Sequence, residues 1–157
     1  MVFESASEMG ARAAIVAAAH AYARAVDIPD FAKAVEIFRE DGIFDMPGQG
    51  EVRGREAISA IMQERELRRR AGVDGCFQRH NITTSVVELD GPSAALATHY
   101  VLVVTELGLD HMGRYEDRLA KTSDAWRVAH RRVSVEWIRP DSRFLKGFSG
   151  PSLGARQ

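Results

Sequence analysis

The sequence predicts an α+β fold in which three N-terminal helices cover one face of an antiparallel sheet. Two observations carry this. Apolar residues recur at helical spacing before about residue 40 and again from about Arg55, whereas residues 77–139 hold four segments rich in β-branched and aromatic residues, separated by turn sequences.

The first helix is read from Ser7, because Ile15, Ala18, Ala19, Tyr22, Ala25 and Val26 follow the i, i+3, i+4, i+7 rule. Pro29 disfavours helical geometry at Ile28 and ends it near Asp27. Tyr22 therefore falls on the buried stripe and a carboxylate closes the helix. Pro29 suits the first turn of a second helix, with Phe31, Val35 and Phe38 along one side and an end at Gly42. A short strand pair, "IFDM" and "EVR", brackets the turn "PGQG" within residues 43–53. The third helix follows, burying Ile58, Ile61 and Met62.

Four long strands are expected at 77–89, 93–106, 111–122 and 126–139, joined as hairpins by "LDGPS", "LGLD" and "KTSDA". Residues 1–139 thus form a single domain, and the Gly, Ser and Pro-rich stretch 140–157 reads as a tail, whether lid, oligomer arm or disordered segment.

Alternation assigns the faces. In the third long strand His111, Gly113, Tyr115, Asp117 and Leu119 share one side, while Met112, Arg114, Glu116 and Arg118 share the charged, wet side. In the last strand Ala129, Arg131, Val133, Val135 and Trp137 lie together, so Arg131 interrupts an apolar row and must find a carboxylate or a cavity. A hairpin centred on Ser123 sets Tyr115 nearly opposite Arg131, with Asp117 one step along. In the first long strand Ile82 and Val86 face one way and Val87 and Leu89 the other. That mixed parity suggests an outer face partly covered by another copy of the chain.

Composition narrows the function classes. The 157 residues are 45% hydrophobic and 27% charged, as in globular domains, and carry a formal charge of −1 with acids and bases interleaved. No summed field is available for nucleic acid or an anionic membrane surface. The basic run Glu64–Arg70 reads as a solvated helix end, and the single Cys76 cannot form an internal disulfide, which suits a reducing compartment. With no signal-like or bilayer-length apolar run, a cytoplasmic protein is expected. The five histidines form no HxH or HExxH pattern, so no metal site is expected, and neither a phosphate loop nor a GxSxG elbow is present. His20 and His130 read as surface residues. Phe44, Met46, Val101, Val103, Trp137 and Phe144 supply apolar walls that would suit a ring-shaped substrate.

His80 opens the first long strand. Were the helix-end carboxylate Asp27 beside it, the acid would hold the imidazole in one tautomer and favour its charged form, making His80 a general base. Arg131 and Tyr22 supply donors for a developing oxyanion or leaving group.

From about Ala11 to Trp137 the chain resembles the SnoaL-like branch of the nuclear-transport-factor-2-like superfamily. The matching pieces are Tyr22 and Asp27 in "Y-x4-D", "IFREDGIFD" at 37–45, "GREAI" at 54–58, "RHNIT" at 79–83, "GRYEDRL" at 113–119 and "W-R-V-x-x-R" at 126–131. The resemblance implies a cone of curved antiparallel sheet closed by helices around a deep pocket, and a dimer or trimer. Tyr22, Asp27, His80 and Arg131 are similar to the constellation of the bile acid 7α-dehydratases, and to that of hexachlorocyclohexane dehydrochlorinase with tyrosine in place of lysine. Scytalone dehydratase shares the Tyr, Asp and His logic. All imply a lyase that needs no cofactor and acts by proton abstraction on a hydrophobic cyclic substrate. His99 is then either a second acid or base, or buried and neutral. Polyketide cyclases and ketosteroid isomerases of the superfamily use one aspartate base, a part open to Asp45 or Asp117. Epoxide hydrolases use an Asp–Arg–Asp set that Asp117 and Arg131 resemble in part, and other members only bind ligands. An isomerase or cyclase, or a non-catalytic binding module, therefore stands beside the lyase. Tyr115, Asp117, Asp45, Phe44, Trp137 and His99 are the expected substrate-contacting residues.

Overall fold

The structure, a computed structural model, describes residues 5–28, 30–72, 77–123 and 125–142. Pro29, Cys76, Phe144 and the tail from 143 onward, for which expectations were set out above, lie outside them. The order of elements is α1 (Ala6–Asp27), α2 (Phe31–Glu36), β1 (Phe38–Met46), β2 (Gly50–Arg53), α3 (Arg55–Arg70), β3 (Gln78–Asp90), β4 (Ala94–Thr105), β5 (Gly108–Lys121) and β6 (Trp126–Ile138).

Helix α1 starts at a reciprocal cap. The Ser5 side chain accepts from the Glu8 backbone N–H, and the Glu8 carboxylate accepts from the Ser5 N–H at 2.7 Å. Its buried stripe, Ile15, Ala19, Tyr22, Ala23, Val26 and Asp27, faces the sheet. At its other end the carbonyls of Val26 and Asp27 accept from the side chains of Gln78 and Arg79, which fixes the helix terminus to the start of β3.

Helix α2 is shorter than its periodicity suggests. It ends at Glu36, and Phe38 opens a strand instead of completing a helical face. The reason is tertiary: β1 runs parallel to β6, with Phe38 opposite Val128 and Phe44 opposite Arg131. The register shifts between Phe38 and Ile43, where a Cβ at Gly42 would stand 2.9 Å from the Arg39 carbonyl oxygen and 3.1 Å from that of Val128. Gly42 thus permits a bulge within a strand rather than ending a helix. The sheet is consequently mixed, six-stranded and open, ordered β2-β1-β6-β5-β4-β3, with an antiparallel meander from β3 to β6.

The inner face reads as rows of paired residues. One row runs His80–Val103–His111–Ile138, the next Ile82–Val101–Gly113–Val135, then Ser85–His99–Tyr115–Val133, then Val87–Ala97–Asp117–Arg131. Bulges make these rows possible. An extra residue in β3 between Ile82 and Ser85 reverses the alternation, so Ile82, Val87 and Leu89 all face inward and Val86 is exposed. The mixed parity of this strand is therefore a bulge, and it is no argument for a covered outer face. A second bulge at Ala129 sets Asp117, not Tyr115, opposite Arg131. A third at Glu136 turns Trp137 to the outer face, opposite Met112 and 40% exposed.

Between helices and sheet lies an aromatic centre. The Tyr22 ring meets Phe38, Phe44 and Tyr115 edge-on at centroid distances of 6.3, 6.3 and 5.9 Å. Such contacts add about 0.5–1.5 kcal/mol each beyond the area they bury.

Candidate active site

Three elements converge on one hollow. Sheet residues His80, Val101, Val103, His111, Gly113, Tyr115 and Val133 form its floor, Tyr22 enters from α1, Phe44, Met46 and Pro47 come from β1 and its turn, and Arg65 from α3. Its volume is about 90 Å³. Gly113 is required in this floor by close approach, because a Cβ there would fall 1.8 Å from the Ser134 carbonyl oxygen.

Asp27 and His80 meet at the edge of the hollow. Asp27 Oδ1 is 2.6 Å from His80 Nδ1, and the same carboxylate accepts from the His80 backbone N–H at 3.1 and 2.9 Å. A carboxylate can only accept here, so Nδ1 carries the proton and Nε2 is left as the basic nitrogen. The imidazole is 15% exposed and the carboxylate 8%. The acid is sealed while the base lines the pocket.

Tyr22 also lines the pocket. Burial pushes its phenol pKa up, with the Arg131 guanidinium opposing the rise, so the hydroxyl stays neutral and can donate a hydrogen bond. Burial raises Tyr115 too, and the neighbouring Tyr22 adds to the rise. Two neutral phenols thus border the space that the His80 ring faces.

Arg131 stands elsewhere than expected. Its guanidinium is fully buried and makes a two-point pair with Asp117, Nε to Oδ1 at 2.8 Å and Nη2 to Oδ2 at 2.6 Å. It stacks between the rings of Tyr22 and Tyr115, 4.5 Å from each centroid, and does not line the hollow. Burial works against the charge, but Asp117 outweighs burial and the guanidinium holds its proton more tightly than usual. Arg131 found a carboxylate rather than a cavity. Its positive charge therefore lies behind the two tyrosine rings.

The remaining expected residues divide. Phe44 and Tyr115 line the pocket. His99 and Asp117 do not: His99 is 0% exposed, with Nδ1 2.8 Å from Ser85 Oγ and Nε2 3.7 Å from Asp117 Oδ2. Burial lowers His99 to about 4, against the pull of Asp117, so it is neutral at ordinary pH. Of the two readings left open for His99, its placement supports the buried, neutral one. Asp45 faces outward, where its Oδ2 accepts from Arg132 Nε at 3.1 Å. It is excluded from the pocket because Phe44 takes the inward position on β1 and its neighbour must point the other way. Trp137 is excluded by the Glu136 bulge. His20 is exposed, whereas His130 is half-buried rather than a surface residue.

Sequence reasoning missed Arg65, which it placed on a solvated helix end, and gave no part to Asp110 beside His111. The α3 periodicity could have flagged Arg65, three residues beyond the buried Met62. No cluster that could hold a metal ion occurs among the described residues. Likewise, among them no helix is long and apolar enough to cross a membrane.

Residues 7–132 match the profile of the SnoaL-like domain. No curated protein matches the sequence. Among solved structures the chain is similar to Rv3472 of Mycobacterium tuberculosis, a protein of unknown function, at 28% identity over 82% of this chain and 73% of that one, with a TM-score of 0.67. It is similar in fold to LinA, at 17% identity over 85% of this chain and 91% of that one, TM-score 0.73. The same holds for a scytalone dehydratase-like protein from Novosphingobium aromaticivorans, at 16% identity over 83% and 87%, TM-score 0.71. Other neighbours are described as cystatin-like and NTF2-like folds. The chain belongs to the SnoaL-like family, on the nuclear-transport-factor-2-like fold.

Proposed function

We propose that the chain is a lyase, of dehydratase or related eliminase type, that needs no cofactor and acts on a small, largely apolar cyclic carbonyl compound. His80 is the base that removes a proton from carbon. Asp27 holds the ring in the reactive tautomer and balances the imidazolium that forms. Tyr22 and Tyr115 donate to the oxygen on which charge develops, and Arg131 strengthens both donors from behind. Val101, Val103, Phe44 and Met46 receive the ring of the substrate. The likeness in fold to LinA and to a scytalone dehydratase-like protein supports an enzyme of small-molecule chemistry.

One observation carries this reading: the 2.6 Å contact between His80 Nδ1 and Asp27 Oδ1 at the wall of a pocket that also holds the apolar side chains of Phe44, Met46, Val101 and Val103. The test is hydrogen–deuterium exchange next to the carbonyl in a panel of cyclic ketones, followed by NMR. His80→Gln should slow exchange by about 10²- to 10⁴-fold. Equal exchange in wild type and variant would remove His80 as the base.

A further inference from the structure

A second cluster of reactive side chains lies outside the hollow, where α1 packs on β3. The bulge between Ile82 and Ser85 turns the Ser85 side chain inward, opposite His99 on β4. Asp117 follows on β5, one row further along. A serine, an imidazole and a carboxylate therefore stand on three successive strands, and none of the three lines the hollow that holds His80.

Their geometry assigns the protons. Ser85 Oγ is 2.8 Å from His99 Nδ1, and His99 Nε2 is 3.7 Å from Asp117 Oδ2. The second distance is too long for a hydrogen bond, yet it decides the tautomer. A lone pair on Nε2 would face the lone pairs of a carboxylate whose two oxygens both accept from Arg131. The proton therefore sits on Nε2, directed at negative charge, and Nδ1 accepts from the Ser85 hydroxyl. His99 is 0% exposed, so bulk water does not compete for its ring.

Of the three, the serine alone is open to solvent. Ser85 is half-buried and lines a groove between α1 and β3, with Ala13, Val16, Ala17 and Val86 as apolar walls and Arg12 and His20 beside them on the helix. This groove shares no lining residue with the hollow. β3 ends the sheet. Backbone N–H groups on its free side turn toward α1, as that of His80 does in meeting Asp27, and groups so placed can donate to an oxygen that gains charge.

We propose that Ser85 is a nucleophile, with His99 as its base and Asp117 as the charge that favours the imidazolium, and that the groove hydrolyses small carboxylic esters with an apolar acyl group. His99 Nδ1 takes the hydroxyl proton as Ser85 Oγ adds to the ester carbonyl carbon. The bond from that carbon to the alcohol oxygen then breaks with its pair, and the imidazolium returns the proton to the departing alkoxide. Water adds to the acyl-serine by the same exchange of a proton with Nδ1, and the bond to Oγ breaks. The sum is ester plus water to acid plus alcohol, with no oxidant or reductant. A ring kept neutral by burial is always in its base form at ordinary pH but is a weak base, so turnover is slow and a trapped serine adduct is the most direct readout.

The activity owes nothing to His80 or Asp27, so it stands or falls apart from the lyase reading. The full chain is treated with an alkyl fluorophosphonate, digested and mapped by mass spectrometry, and release of nitrophenol from p-nitrophenyl acetate is followed in parallel. The phosphonyl group should be found on Ser85. Ser85→Ala should slow ester release, and His99→Gln should slow both labelling and ester release, by about 10²-fold or more. Ketone exchange in Ser85→Ala should stay within about twofold of wild type, because the two sites share no residue. An adduct on another residue, no adduct, or unchanged ester release in Ser85→Ala would overturn the proposal. So would an unchanged labelling rate in His99→Gln, which would make Ser85 an ordinary hydroxyl; if that variant does not fold, Ser85→Ala decides alone. Loss of ketone exchange together with ester release in Ser85→Ala would overturn the separate groove.

Discussion

Asp27 and Asp117 are both buried carboxylates, and each holds a nitrogen base, yet the two regions they command differ in kind. Asp27 meets an imidazole at the pocket wall, a partner that can take and release a proton and is 15% exposed. Asp117 meets a guanidinium that keeps its proton, sealed at 0% exposure between two tyrosine rings. On the proposed function the first pair serves chemistry and the second rigidity. What separates them is the partner's ability to change charge and its access to the hollow, since the acids themselves are alike.

Breaking the sealed pair should have the largest effect on stability. Asp117→Ala leaves a charged, desolvated guanidinium, and urea unfolding should show a loss of about 3–5 kcal/mol. Arg131→Met in the same chain should restore most of it, because an apolar side chain removes the stranded charge. If the single variant unfolds at the wild-type midpoint, Arg131 is not held as the comparison requires.

The corresponding change at the pocket should reverse the balance. Asp27→Asn keeps an acceptor for the His80 N–H but loses the charge that stabilises an imidazolium. Ketone exchange should fall by about 10²- to 10⁴-fold, while stability changes by no more than about 1–2 kcal/mol. A large loss of stability with little loss of rate would place Asp27 with Asp117 as a structural acid.

His99 sharpens the contrast through pH. Its ordinary value of 6.5 is lowered to about 4 by burial. Below 6.5 the unfolded chain binds a proton that the folded chain refuses. The stability due to His99 is therefore full above 6.5, and is lost as pH falls toward 4, by roughly 3 kcal/mol across that window. Denaturation midpoints of wild type and His99→Gln, measured at steps between pH 7 and 4, should converge by about that amount. Parallel curves would mean that His99 is not buried neutral.

The smallest effect belongs to the outer face. Asp45→Asn disrupts an ion pair with an Arg132 side chain that is 61% exposed, and should cost at most about 1 kcal/mol with no change in exchange rate. A collapse of exchange in this variant would return Asp45 to the chemistry.

The residues of the pocket were more legible than their roles. Tyr22 on its stripe and the inward row His111, Gly113, Tyr115, Asp117 and Leu119 follow from periodicity, whereas the pairing of Asp27 with His80, more than fifty residues away, could be supposed from their chemistry and the resemblance but not read from any local pattern. Trp137, Asp45 and the partner of Arg131 were not legible, because each depends on where a strand gains a residue or which neighbour it pairs with. Phe38 was misread for a related reason: "EDG" is a helix-ending signal in isolation, and only the parallel pairing of β1 with β6 makes Gly42 part of a strand.

By itself, the sequence determined the class of fold, the order and approximate limits of most elements, and which residue types were available for acid–base work. These follow from local periods of 3.6 and 2 and from turn chemistry, which a chain carries wherever it is placed. Only the tertiary structure decided the register, the bulges at Asp110, Ala129 and Glu136, and hence which polar side chains share the hollow and which are sealed behind it. A bulge is a property of two strands together, and a shift of one residue reverses every side chain beyond it.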